Sequence, residues 1–190
     1  MVKLRRNKTT RTLKRAYART AKKVAGKAYI KKVPATQVHR YEYGGLKGEV
    51  ECTRIVVYVR EPCVIRTNSI EASRKVIAGL FEKVFVSEKN KAYYIKILRY
   101  AHHIVREHIF ASGAGADRVS QGMSHSYGKS GCVAIRLTAK NEPLLAIWIV
   151  ATPAQEEKIV KSIDCVRKKI GAQTYIKVEH GVFKIGDIKK

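Results

Sequence analysis

The first 41 residues contain 14 lysines and arginines and no aspartate or glutamate; the first acid is Glu42. A segment of this kind cannot close on itself. Its charges repel one another, and Leu4, Leu13, Tyr17 and Val24 are too sparse to form a core face. Alone it is a solvated helix or a tail; against a polyanion it can order as an arm. Tyr17, Tyr29 and Tyr41 interleave the charges. Aromatic rings stack on unpaired bases while Arg and Lys hold phosphates, so the arm is expected to bind RNA. The cations assigned to that contact are Arg5, Arg6, Arg11, Lys14, Arg15, Arg19, Lys22, Lys23, Lys27, Lys31, Lys32 and Arg40.

The whole chain carries 39 Lys and Arg against 15 Asp and Glu, and the arm supplies 14 of its 24 net positive charges. Self-repulsion on this scale destabilises a compact state, and a soluble enzyme gains nothing from it. Nucleic acid reverses the sign, because each neutralised phosphate releases a condensed counterion. An anionic membrane surface is the second class of partner. The longest apolar run, Leu144 to Ala151, is far short of the roughly 18 residues of a membrane span. The N-terminus lacks the apolar stretch of a secretory signal, and no serine precedes Ser69, which weighs against an organelle presequence. No membrane partner is expected. Cys52, Cys132 and Cys165 lie in apolar runs and read as small core residues; with Cys63 they form no CxxC pair, so zinc is not expected and a reducing cytoplasm is.

From about residue 50 the pattern becomes globular. Strands are expected at Cys52 to Val59, Ala92 to Leu98, Val133 to Leu137, Leu144 to Val150 and Gln173 to Val178, with a turn at Asn141-Glu142-Pro143. Asn68-Ser69-Ile70-Glu71 reads as a capping box opening a helix whose buried face is Ile70, Ile77, Leu80 and Val84. Thr152-Pro153-Ala154-Gln155 opens a second helix, with Ile159, Ile163, Val166 and Ile170 inward and Gly171 as its stop. The core is expected to include Trp148. Two main helices among mixed or antiparallel strands make this an α+β chain without the βαβ repeat of a doubly wound sheet. The segmentation is a basic arm at 1–41, a globular domain at 42–180 and a basic tail at 181–190.

Residues 99–131 stand apart. Gly113, Gly115, Gly122, Gly128 and Gly131 put five of 13 glycines into 19 residues, and the interval from Gly122 to Gly131 has no apolar periodicity. An extended loop reaching a partner uses such a composition; a core does not. Enzyme readings fail on spacing. A P-loop ending in Gly128-Lys129-Ser130 needs glycine where Met123 stands. A dinucleotide turn at Gly113 and Gly115 needs one where Arg118 stands. His102, His103, Glu107 and His108 have neither metalloprotease spacing. No catalytic residue, cofactor or metal is assigned.

The residues His102-His103-Ile104-Val105-Arg106, Ala114-Gly115-Ala116-Asp117-Arg118, Gly122-Met123 and Gly128 carry a specific likeness. The chain resembles the universal large-subunit ribosomal protein L-sixteen family in its archaeal and eukaryotic form, L-ten-e. The likeness extends upstream through Lys27-Ala28-Tyr29, Val33-Pro34 and Tyr41 to Gly44, and downstream through Arg136 and the Thr152 helix, covering about residues 15 to 180. It implies an α/β-hammerhead-like fold, a structural place in large-subunit rRNA near the 5S RNA, and neighbouring ribosomal proteins as partners. It also implies that the loop at 122–131 points toward bound tRNA, with Arg106 and Arg118 at its base and Met123, Ser124, His125 and Lys129 near the tRNA. The chain departs from the family in having Ala101 and Ser130 where proline is usual, Ile109 for lysine and Ser124 for arginine. The alternative outside that family is a non-ribosomal basic RNA-binding or RNA-processing factor.

Deleting residues 1–27 is expected to weaken RNA binding and flatten its salt dependence. Each lost phosphate contact reduces the log–log salt slope by roughly 0.7 to 0.9. Titrations at several salt concentrations measure this, and an unchanged slope would show that the arm holds no phosphates.

Overall fold

A computed structural model describes residues 33–85, 92–107 and 129–186, with backbone alone at the side-chain positions 106, 107 and 129. Within them the order is β1 (Glu42–Gly44), β2 (Glu49–Val59), β3 (Cys63–Arg66), α1 (Thr67–Val84), β4 (Tyr93–Ile97), β5 (His103–Glu107), β6 (Lys129–Leu137), β7 (Glu142–Ile149), α2 (Pro153–Ile170) and β8 (Thr174–Lys184). Neighbouring strands pair antiparallel. The chain is α+β, as its patterning predicts. It forms two compact units that interleave along the sequence: one from Val38–Glu61, Ser69–Tyr100 and Ala139–Lys190, the other including Pro62–Asn68 and Ala101–Thr138.

The first unit holds a five-stranded sheet in the order β1-β4-β7-β2-β8. Residues directly opposite across strands share a face. Thr53 and Tyr93 both face Ile149, so all three point the same way. The Tyr93 ring meets Phe81 of α1 at 4.8 Å and Phe85 just beyond it at 5.6 Å. The Thr53 hydroxyl donates to the Glu156 carboxylate of α2. Both helices therefore cover one face, the usual segregation in an α+β unit. Helix α2 buries Ile159, Ile163, Val166 and Ile170, the stripe its periodicity predicts. Each such side chain contributes about 1.5–3 kcal/mol by leaving water. On the opposite face Trp148 is buried with Cys52, Val56 and Ala146, edged by Tyr58, Tyr94, Leu98, Phe183 and Ile185.

The termini of α2 are local. The Gln155 side chain accepts the Thr152 N–H at 3.1 Å, and Gly171 closes the helix at φ 75°. Helix α1 differs from expectation. It begins at Thr67, directly after β3, so Asn68 lies inside it rather than capping it. The Thr67 hydroxyl is already committed to the Val133 carbonyl at 2.9 Å, and Glu71 is taken by Arg74. The buried stripe of α1 runs through Ile70, Ile77 and Phe81, with Leu80 and Val84 half-buried at its margin.

Three further differences arise from strand pairing. The second unit contains the three-stranded sheet β3-β6-β5, so β6 and β7, although consecutive, belong to different sheets. Their connection turns at Lys140-Asn141, with Asn141 at φ 54°, and Glu142 and Pro143 are already in β7. Strand β8 continues past Val178 to Lys184, pairing with β2 from Thr174↔Val59 to Lys184↔Glu49. Beyond it, Ile185 donates its N–H to the Gly48 carbonyl at 2.9 Å, and the Lys96 ammonium donates to the Gly186 carbonyl at 3.1 Å. Residues 181–186 are thus strand and anchored turn rather than tail. Cys52, Cys63 and Cys132 are buried, but Cys165 is exposed, because it falls between the inward positions 163 and 166 of α2.

Ile163→Ala is expected to cost about 2–5 kcal/mol in urea unfolding, the range for an aliphatic core truncation. Cys165→Ala, on the same helix but exposed, is expected to stay within about 0.5 kcal/mol. Equal effects would show that the helix face is misassigned.

Candidate nucleic-acid interface

The downstream end of the arm is fixed by four local contacts. Val38 is buried. The His39 backbone hydrogen-bonds to the Glu71 carboxylate, which also accepts two bonds from the Arg74 guanidinium at 2.7 and 2.9 Å. The Tyr41 carbonyl accepts the Ile97 N–H at 2.8 Å, and the Tyr41 ring lies 4.7 Å from the exposed Tyr100 ring. The close approach of β1 to β4 then requires Gly44, where a Cβ would stand 2.2 Å from the Tyr93 carbonyl oxygen. Arg40, within this anchored stretch, is exposed. The remaining arm cations (Arg5, Arg6, Arg11, Lys14, Arg15, Arg19, Lys22, Lys23, Lys27, Lys31 and Lys32) lie outside the described residues. Tyr41 was read as a base-stacking residue; it has a protein ring as neighbour.

The Arg74 guanidinium beside Glu71 holds its carboxyl below the ordinary value of 4.5, against the opposing effect of burial. The sequence marked Glu71 as the far end of a capping box. The carboxylate instead ties α1 to the segment where the arm ends.

The base of the Gly-rich loop is the β5–β6 pair. Glu107 stands opposite Lys129 and Arg106 opposite Ser130, so residues 108–128 connect the ends of two paired strands. Ser130 and Gly131, counted with the loop by composition, belong to β6. Val105 faces Cys132 while Arg106 faces Ser130, which leaves Gly131 as the extra residue of a bulge. A bulge bends its strand and re-aims the side chains beyond it, here just where the loop departs. Arg118, Met123, Ser124 and His125 lie outside the described residues, and Arg106 and Lys129 are described by backbone position only.

Next to this base in β5 is a buried polar residue. His103 is 4% exposed and its Nε2 has no hydrogen-bond partner. Burial first, then the charges of Arg136 and His102, lower its pKa from 6.5 to about 4, so it is neutral at pH 7. His102 is exposed and gives its backbone N–H to the Ala134 carbonyl at 3.1 Å. Among the described residues no cluster of three or more His, Cys, Asp or Glu could hold a metal ion.

A third basic surface was not read from the sequence. Arg60, Arg167 and Lys168, from β2's end and α2's last turns, line one open pocket with Asp164, Gln173 and Thr174. The run Arg167-Lys168-Lys169 marks only the helix end, and nothing in the sequence joins Arg60 to it, because Arg60 is more than a hundred residues away.

No family model matches the chain. Among curated proteins it is similar to the large ribosomal subunit protein uL16 of Methanospirillum hungatei, 32% identical over 166 residues, which is 87% of this chain and 89% of that protein. The protein of the same name from Archaeoglobus fulgidus is 32% identical over 171 residues, 90% of each chain. That of Methanosphaerula palustris is 34% identical over 155 residues, 81% of this chain and 79% of the relative.

The two buried groups titrate in separate windows. The unfolded chain binds a proton at His103 near pH 6.5 and the folded chain only near 4, so stability is greatest above 6.5 and declines as pH falls to about 4. The decline is on the order of 3 kcal/mol at 1.36 kcal/mol per unit. Hydrogen exchange at the β5–β6 amides should follow it, and His103→Leu should remove it; an unchanged profile would refute the assignment. Glu71 acts lower. Its stabilisation is complete above 4.5 and is lost as pH falls through its depressed value, so Glu71→Gln should weaken the fold at pH 7 and flatten the acid limb below 4.5.

Proposed function

The chain belongs to the family of the large ribosomal subunit protein uL16, in its archaeal-type form, and on that premise we propose that it is a structural constituent of the large ribosomal subunit that binds rRNA through its N-terminal arm. The observation that carries this reading is the separation of charge from fold. The first 41 residues hold 14 cations and no acid, and their downstream end is pinned to α1 and β4 through His39 and Tyr41. The arm has no acidic residue of its own to neutralise it, so the phosphates of rRNA are its counterions. The protein is not an enzyme in this reading, and it works within the cytoplasmic ribosome during translation. The arm at 1–41 acts as the rRNA-binding segment, and the protein sits near the 5S RNA among neighbouring ribosomal proteins.

The second element is the loop leaving the bulged end of the β5–β6 pair. It extends toward tRNA, with Arg106 and Arg118 at its base and Met123, Ser124, His125 and Lys129 along it. A paired, bulged base suits this role because it holds the departure point of a long polar loop in one orientation. Apart from Met123 and Tyr127 the interval from Gly122 to Gly131 is small, polar or basic, so little core stability depends on it.

Two experiments test these statements separately. The full chain should co-sediment with large subunits after a high-salt wash; free chain at the top of the gradient would leave the non-ribosomal RNA-binding alternative. Replacing residues 123–129 by a glycine linker should leave incorporation into reconstituted subunits nearly intact and impair tRNA binding or peptide-bond formation, with Arg106→Ser acting more weakly. Loss of incorporation would instead make the loop an rRNA anchor. Normal tRNA binding would remove the tRNA role.

A further inference from the structure

The pocket at the C-terminal end of α2 lies apart in sequence from both the arm and the Gly-rich loop. It has a fixed floor and two exposed cations. Arg167 donates to Asp164 at 2.7 Å, to the Thr174 hydroxyl at 3.3 Å and to the Thr174 carbonyl. That spends the guanidinium and neutralises the one acid lining the pocket. Lys168 and Arg60 are exposed, and neither has an ion-pair partner among the described residues. Lysines and arginines near a helix C-terminus ordinarily offset its dipole. This explains Arg167 and part of Lys168, but not Arg60, which arrives from β2 and gives its backbone N–H to the Gln173 carbonyl at 2.9 Å.

Arg60 also belongs to an aromatic stack. Tyr58 and Tyr175 are cross-strand partners whose rings are 5.2 Å apart and 12° from parallel, and the Arg60 guanidinium lies 5.8 Å from the centre of the Tyr175 ring. A guanidinium presents a donor edge and a stacking plane at once. An inorganic anion needs only the edge. A nucleotide with an unpaired base uses both, since splayed bases stack on aromatic rings and on arginine planes.

We propose that the pocket lined by Arg60, Arg167 and Lys168 is a further RNA-contact site that takes one unpaired nucleotide, with Arg60, at the end of β2, joining it to the Tyr58–Tyr175 stack on the sheet face opposite α2. Lys168 and the Arg60 edge hold its phosphate, and the base stacks on the Arg60–Tyr175 surface. This rests on the ribosomal reading and deepens it: the face of the sheet domain, and not only the arm, recognises RNA, and it selects single-stranded over duplex segments.

The test uses the full chain and a single-stranded RNA of about 12 nucleotides, with a duplex of equal length beside it. Arg60→Ala with Lys168→Ala should weaken single-strand binding and lower the salt slope by roughly 0.7 per lost contact. Lys75→Ala with Lys83→Ala, which removes the same charge from exposed positions on α1, should do neither. Tyr175→Leu should reduce single-strand binding roughly tenfold, leave the slope unchanged and spare the duplex. Arg60→Lys should recover the slope and not the stacking. Thermal melts of each variant separate misfolding from lost contact, and Arg60→Gln serves if the double variant melts early. If the wild-type chain binds no RNA, the ribosomal reading itself fails. If it binds and the pocket variants match the α1 control, the pocket is not an RNA site. If they lose binding to polyglutamate and keep binding to RNA, the pocket takes an acidic protein segment and the proposal is overturned.

Discussion

Strand β2 is hydrogen-bonded along both edges, to β8 over all eleven of its residues and to β7 over seven of them. The five-stranded unit depends on that double pairing. A strand with neighbours on both sides and cover on both faces has no position where a polar side chain is cheap. Accordingly Ile55, Val56 and Val57 are fully buried although they point to alternate faces. The two polar exceptions in its centre are satisfied: Thr53 by Glu156 and His180, Arg54 by Glu179. Both helices attach to one face of the sheet, and the second face closes around Trp148. The pocket at Arg60 exists because β2 ends there, where β8 begins and α2 stops.

Charge follows a different rule from packing. Every acid in the chain lies after residue 41, and several of those described are paired with cations of the fold itself: Glu42 with Lys96, Glu71 with Arg74, Glu142 with Arg99, Asp164 with Arg167, and Glu179 with Arg54 and Lys177. The exposed ones among these pairs are worth little each. Their effect is compositional. The sheet unit consumes the acids, and the arm keeps cations that no acid of its own offsets. A folded unit bearing an uncompensated basic segment is how a small protein can be both stable alone and strongly attracted to RNA.

Glu71 shows how one residue can mislead a local reading. Its spacing from Asn68 fits a capping box, and the motif carries real physics. Yet the carboxylate is 6% exposed and serves Arg74 and the His39 backbone, because a bidentate guanidinium bond outweighs a reach back to one N–H. Helix α2 had no such competitor within range, and both its ends were legible. The bulge at Gly131 was invisible for a related reason: glycine there looked like loop composition, and only the register between Val105 and Arg106 reveals a strand. The arm cations, by contrast, are a reading of composition, and the loop residues one of likeness.

By itself the sequence determined what depends on neighbours along the chain. That includes the α+β class, the inward stripe and caps of α2, the excess of charge in an acid-free arm, and the specific residues that mark the family. Those are period, spacing and composition, and each acts over a few residues. The tertiary structure alone decided that β6 and β7 part into different sheets, that β8 runs on to Lys184, and that Arg60 meets Arg167 and Lys168. Each of these turns on a partner distant in sequence. Strand pairing is a contest among backbones with the same donors and acceptors, and it is settled by which faces are buried together rather than by any local preference.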